Sequence, residues 1–171
     1  MKSGTCIFVH KSINFYKINI NNYCLDHDIE ASVVKLRMTK SYIYIFCIYR
    51  APSGNVPIFF SPKLDSILNL YMNPNTEFII CGDMNIKYLV DIYRSQLNSL
   101  LVSCNLFNKV EFPIRLQNTA ISVIDNIFID FARQGNFVIF PMYNGFSDHD
   151  AKLIMIHCIG LCIKYIYKEN Q

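Results

Sequence analysis

Three short polar clusters in an otherwise apolar chain carry side chains that could do chemistry. The first is Gly82-Asp83-Met84-Asn85, directly after the apolar run Phe78-Ile79-Ile80-Cys81. A buried strand delivers the residues at its end to the edge of a sheet, glycine leaves room for a ligand, and Asp and Asn at i and i+2 point the same way. That puts a carboxylate and an amide on one rim, although Gly-Asp-x-Asn is equally a good turn. The second cluster, Gly145-Phe146-Ser147-Asp148-His149-Asp150, leads into the apolar stretch Leu153 to Ile156. At a loop tip an adjacent Asp and His can reach one pocket, the first as a metal ligand and the second as a proton-handling imidazole. A solvated loop accounts for the same residues. In the third, Ser122-Val123-Ile124-Asp125-Asn126-Ile127-Phe128, Asp125 interrupts an apolar run. A carboxylate there is expensive to bury unless paired, and His149 is the candidate partner.

The elements that must position these groups are legible in the periodicity. Cys6 to His10, Ala31 to Met38, Tyr42 to Tyr49 and Glu77 to Cys81 are short, β-branched or aromatic and bounded by turn residues, and are predicted strands. Leu106 to Val110, Val123 to Ile129, Phe137 to Pro141 and Lys152 to Cys158 are four more. Ser61-Pro62 offers an N-cap and a first-turn proline for a helix with Leu64, Ile67, Leu68 and Tyr71 on one face. Tyr93, Leu97, Leu100, Leu101 and Cys104 make a second helical stripe. Alternating strands and helices argue for a sheet covered by helices, with the segment 160–171 as a surface tail.

Composition narrows the function classes. The 171 residues are 52% hydrophobic, 14% aromatic and 17% charged, which excludes a disordered or collagen-like chain and fits one domain spanning 1–171. A net charge of +3 neither demands nor forbids a phosphate partner. No run approaches the roughly 20 apolar residues of a membrane helix, and the N-terminus lacks a signal-peptide pattern, so the expected setting is intracellular, with no membrane and no protein partner. Seven cysteines without a Cys-x-x-Cys pair indicate free thiols in a reducing compartment. Cys158 and Cys162 beside His157 lack a second pair to complete a zinc site.

Taken in order, Gly-Asp-Met-Asn, Ile-Asp-Asn-Ile-Phe and Ser-Asp-His resemble the motifs of the endonuclease/exonuclease/phosphatase superfamily, most closely the apurinic-endonuclease-like domain of non-LTR retrotransposons. Ile48-Tyr49-Arg50-Ala51-Pro52 stands in the place of that family's Tyr-Arg-x-Pro stretch, and Phe112-Pro113-Ile114-Arg115 with Thr119 in that of its Pro-Thr-Arg. The resemblance runs from about Gly4 to about Ile156. It implies a four-layered α/β sandwich, two mostly antiparallel sheets flanked by helices, hydrolysing phosphodiesters in DNA with magnesium or manganese. Carried over by position, Asp83 orients or deprotonates the attacking water and Asn85 holds a phosphate oxygen. Asp125 fixes the ring of His149, which stabilises charge on phosphorus, Asp148 assists with the metal, and Tyr49 contacts the phosphate. Arg115 and Asn126 are carried over as DNA-phosphate contacts.

The match has departures. The family's opening strand with its Asn, and the Glu of its Gln-Glu-Thr-like motif, a principal metal ligand, have no counterpart. Residues Met1 to Val9 resemble a later strand, so the domain reads as N-terminally incomplete, and Glu30 looks like the start of a strand further on. Ile114 replaces a common Thr. Losing the opening strands is expected to expose a sheet edge and an apolar face. Three functions therefore stand at this level: a DNA endonuclease, an inactive truncated remnant of one, and a phosphatase acting on small phosphate esters.

Overall fold

The computed structural model describes residues 4–24, 28–38, 41–53, 61–86, 93–108, 115–117, 120–122, 125–130, 136–142, 151–156 and 161–165. The centre is a six-stranded sheet built from β1 (Phe15–Ile18), β2 (Glu30–Arg37), β3 (Tyr42–Tyr49), β4 (Thr76–Asp83), β5 (Leu106–Asn108) and β8 (Asp125–Asp130), in the order β1-β2-β3-β4-β8-β5. Neighbours are antiparallel except β3 and β4, which run parallel because α1 (Ser61–Tyr71) crosses between them. A two-stranded hairpin, β6 (Arg115–Gln117) with β7 (Ala120–Ser122), precedes β8. A second sheet is built from β9 (Phe137–Met142), β10 (Ala151–Ile156) and β11 (Leu161–Tyr165), with β10 in the middle.

Each face of β3 and β4 has its own cover. Tyr44, Phe46 and Phe78 point to the helices, with the Tyr44 ring 5.1 Å from Tyr71 and 5.9 Å from Phe78. Leu64, Ile67 and Leu68 of α1, and Leu97 and Leu101 of α2 (Tyr93–Ser103), close that side. Alternate residues Ile45, Cys47, Ile79 and Cys81 face the other way and belong to the same core cluster as Ile154 and Ile156 of β10. The sheet is thus buried on both sides, which accounts for the near-continuous apolar β3. No helix among the described residues is long and apolar enough to cross a membrane.

Several sequence expectations change. Residues 6–10 form no strand. Ile7 and Val9 pack on the core and Phe8 is 93% exposed, but Thr5 and Ser32 tie the segment down through hydroxyl bonds of 3.0 and 2.8 Å in place of a backbone ladder. The edge strand is β1 instead, with Phe15 and Tyr16 about half exposed. Ser61 does not cap α1: its hydroxyl is buried and finds no hydrogen-bond partner among the described residues. The expected tail is a strand over 161–165, paired along β10, because Leu161, Ile163 and Tyr165 recur with the period of two that a ladder uses. Residues 109–110, 123–124 and 157–160, within or beside predicted strands, lie outside the described residues.

Candidate active site at the rim of the large sheet

The rim forms where β3 and β4 end side by side. The Arg50 backbone N–H donates to the Asp83 carbonyl at 2.9 Å, extending the parallel pairing one step past β3. Between them Gly82 adopts φ +134°, and a Cβ there would overlap the Ile48 carbonyl, so the close approach of the two strands requires glycine. The chain then turns sharply. The Asn85 N–H donates to Asp83 Oδ1 at 2.8 Å, and Asn85 itself sits at φ 49°, a left-handed conformation that Asn tolerates.

Arg50 fixes this turn from beneath. It is 3% exposed, and its guanidinium donates from Nε to the Met84 carbonyl at 2.7 Å, from Nη1 to the Ala51 carbonyl at 3.0 Å and from Nη2 to the Asn85 carbonyl at 2.7 Å. In return Asn85 Nδ2 donates to the Arg50 carbonyl at 2.7 Å. A planar fork spreads its donors over three nitrogens in fixed directions and so reaches three separate carbonyls, whereas the three donors of an ammonium diverge from a single nitrogen.

Asp83 is 4% exposed, just under the rim. Tyr49 is half-buried as the last residue of β3, opposite Glu30, which does begin β2. Asp125 opens β8 as the cross-strand partner of Asp83, and Asn126, 1% exposed, stands opposite Gly82. Asn126 therefore lies in the interior below the rim and presents no surface to a duplex. Arg115 begins β6 in register with Ser122. Asp148 and His149, with the pairing of His149 to Asp125, lie outside the described residues, as do Ile114 and Thr119. The structure thus brings together Tyr49, Asp83, Asn85 and the backbone of Asp125.

Sequence reasoning does not single out Lys152, which is buried to 2% exposure on β10. A signal is nonetheless present: the alternate positions Lys152, Ile154 and Ile156 place a lysine in an apolar row. Below the rim, the Cys81 thiol is pushed well above its ordinary pKa, first by its hydrogen bond with Cys47, then by burial and the Cys47 charge, with Lys152 acting in the opposite sense.

Magnesium is a hard ion that wants octahedral oxygen donors, usually one or two carboxylates with water and phosphate. Among the described residues no group of three or more His, Cys, Asp or Glu comes together. Asp83 also commits one oxygen to the Asn85 N–H. The described residues do not by themselves form a cradle for the ion.

No protein-family model matches the chain, and a search by sequence finds no similar curated protein. Comparison with solved structures gives a consistent answer: the chain has the endonuclease/exonuclease/phosphatase fold. It is similar to the endonuclease domain of TRAS1, a telomere-specific non-LTR retrotransposon, with a TM-score of 0.70 at 15% identity, over 88% of this chain and 71% of that one. The 3′ phosphatase NExo from Neisseria, solved with a product DNA hairpin, has a TM-score of 0.57 at 11% identity, covering 84% and 70%. A humanized D. rerio TDP2 gives 0.54 at 11% identity, covering 90% and 67%.

Proposed function

We propose that the chain is the phosphodiester-hydrolase domain of a retrotransposon-like element, a DNA endonuclease acting at the rim formed by Asp83 and Asn85. The observation that carries this reading is the Arg50 cage, which holds that turn rigidly at the end of a buried sheet and fixes both side chains relative to each other. The likeness to the TRAS1 endonuclease domain supports the choice of DNA over a small phosphate ester.

In this reading Asp83 orients the attacking water and takes its proton as the water oxygen bonds to phosphorus and the ester P–O bond breaks, the leaving oxygen departing with the bonding pair and taking a proton from solvent. Asn85 and Tyr49 steady the phosphate, and His149, oriented by Asp125, stabilises the charge that develops on it. Donors fixed in advance supply most of such stabilisation because they need no reorganisation when the charge appears. Asp148 and a magnesium or manganese ion belong to this reading through the resemblance.

A second reading, a non-catalytic remnant, draws on Asn85, whose amide already donates to the Arg50 carbonyl. Incubating supercoiled plasmid with the chain and magnesium separates the two. Nicking that disappears in Asp83→Ala and His149→Ala supports the endonuclease. Absence of nicking by the unaltered chain favours the remnant, and phosphate released from an inositol phosphate without nicking favours a phosphatase.

A further inference from the structure

At the end of the large sheet opposite the rim lies a cavity of about 340 Å3, near the lower end of the roughly 300–1,000 Å3 in which small ligands are held. β4 begins there at Thr76 and reaches the rim only at Asp83, so the two places are a full strand apart. Met72 and Cys104, the first residues past α1 and α2, both line the cavity, which puts the C-terminal ends of both helices at its wall. Neither helix carries a basic residue in its last turn, so the negative pole of each stands there uncompensated by its own side chains. Glu77 and Asp130 add two carboxylates, and no Lys, Arg or His belongs to the lining. Glu77 accepts from Ser41 Oγ at 3.0 Å, and a carboxylate keeps lone pairs for further donors.

Thr76 gives an independent sign of a ligand. It lines the cavity, is 8% exposed, and its hydroxyl finds no hydrogen-bond partner among the described residues. Strand alternation puts its side chain on the face of Phe78, the face that α1 and α2 cover, and so toward the helix ends. A buried hydroxyl is costly to leave unpaired. The missing partner is not a bare metal ion. A divalent ion needs its oxygens converged at about 2 Å, and Glu77, Asp130 and Cys104, though all in the lining, form no group of three that could hold one. Separated acceptors suit separated positive charges, and Met72, Pro74 and Phe78 supply apolar wall between them.

We propose that this cavity binds an aliphatic di- or polyamine, whose ammonium groups donate to Glu77, Asp130 and the Thr76 hydroxyl while its methylenes lie along Met72, Pro74 and Phe78. The chain has a net charge of +3, so the attraction for such a cation is local to this end of the sheet and not a property of the whole surface. The proposal does not depend on the chemistry at the rim.

Isothermal titration of the full chain with putrescine and spermidine provides the test, with butanediol as the probe without charge and Mg2+ as the charge without methylenes. Both amines are expected to saturate a single site, with butanediol and Mg2+ weaker by roughly tenfold or more. Asp130→Asn and Glu77→Gln are each expected to weaken amine binding by roughly tenfold. Thr76→Val keeps the shape and removes the hydroxyl. It is expected to weaken binding severalfold while the thermal midpoint of the amine-free protein stays level or rises, and this arm stands even if a carboxylate variant does not fold. The absence of saturable amine binding overturns the proposal. So does amine binding that neither Thr76→Val nor Asp130→Asn weakens, butanediol or Mg2+ binding as tightly as putrescine, or a Thr76→Val midpoint well below that of the unaltered chain.

Discussion

Arg50 and Asn85 hold each other by reciprocal hydrogen bonds: Arg50 Nη2 donates to the Asn85 carbonyl and Asn85 Nδ2 to the Arg50 carbonyl, both at 2.7 Å. The two residues lie 35 positions apart, so this pair closes the gap between the ends of β3 and β4. Everything placed at the rim, Asp83 included, inherits its position from that closure.

Removing the fork should therefore cost more than a charge. Arg50→Lys keeps the cation but can reach only part of the set formed by the Met84, Ala51 and Asn85 carbonyls. Each buried acceptor left unsatisfied costs about 1–3 kcal/mol, so a loss of about 3 kcal/mol is expected in urea unfolding. A change within about 0.5 kcal/mol, the size of an ordinary surface substitution, would mean that the cage does not hold the turn.

Asn85 makes two separable contributions, a side-chain bond and tolerance of a left-handed backbone. Asn85→Ala loses both and is expected to cost about 2 kcal/mol, whereas Asn85→Gly loses only the bond and should cost less. The order of the two unfolding midpoints checks this; Ala more stable than Gly would contradict the φ of 49° seen here.

At Gly82 the obstacle is backbone. A methyl group there would meet the Ile48 carbonyl at a φ of +134°. Gly82→Ala is expected to separate β3 from β4 and cost about 3 kcal/mol or more, read as a large drop in midpoint or as insoluble expression.

Stability should also fall in alkali. The Cys81 thiol is raised well above its ordinary value of 9.0, through its Cys47 bond first and then burial. A raised folded pKa means that the native state holds a proton which the unfolded chain releases. The contribution is therefore complete below about pH 9 and is lost as pH climbs toward the folded value. Urea midpoints measured from about pH 8 upward are expected to decline, and Cys81→Ala to flatten part of that decline. A parallel decline in both proteins would remove Cys81 as its cause.

The sequence announces much of this architecture and little of its wiring. The helix face Leu64, Ile67 and Leu68, the buried β3, and the rim position of Asp83 and Asn85 are local patterns, and local periodicity reports them. Residues 6–10 show why periodicity alone is insufficient. Their side chains alternate between partly buried and exposed, as in a strand, yet they pair with no strand among the described residues. Arg50 is legible only as part of a Tyr-Arg-x-Pro resemblance, because its three carbonyl acceptors are fixed by tertiary closure and not by spacing. Lys152 escapes a sequence reading for the same reason: its surroundings depend on how one sheet packs on another.

The central claim, that the turn caged by Arg50 is where a phosphodiester is held, is tested most directly by NMR titration of the isotopically labelled chain with a short DNA duplex. The account predicts that the backbone amides of residues 82–85, the Asn85 side-chain amide and the His149 ring shift together, saturating with one affinity. Shifts confined to surfaces away from these residues, with the Asn85 amide unmoved at saturation, would contradict it.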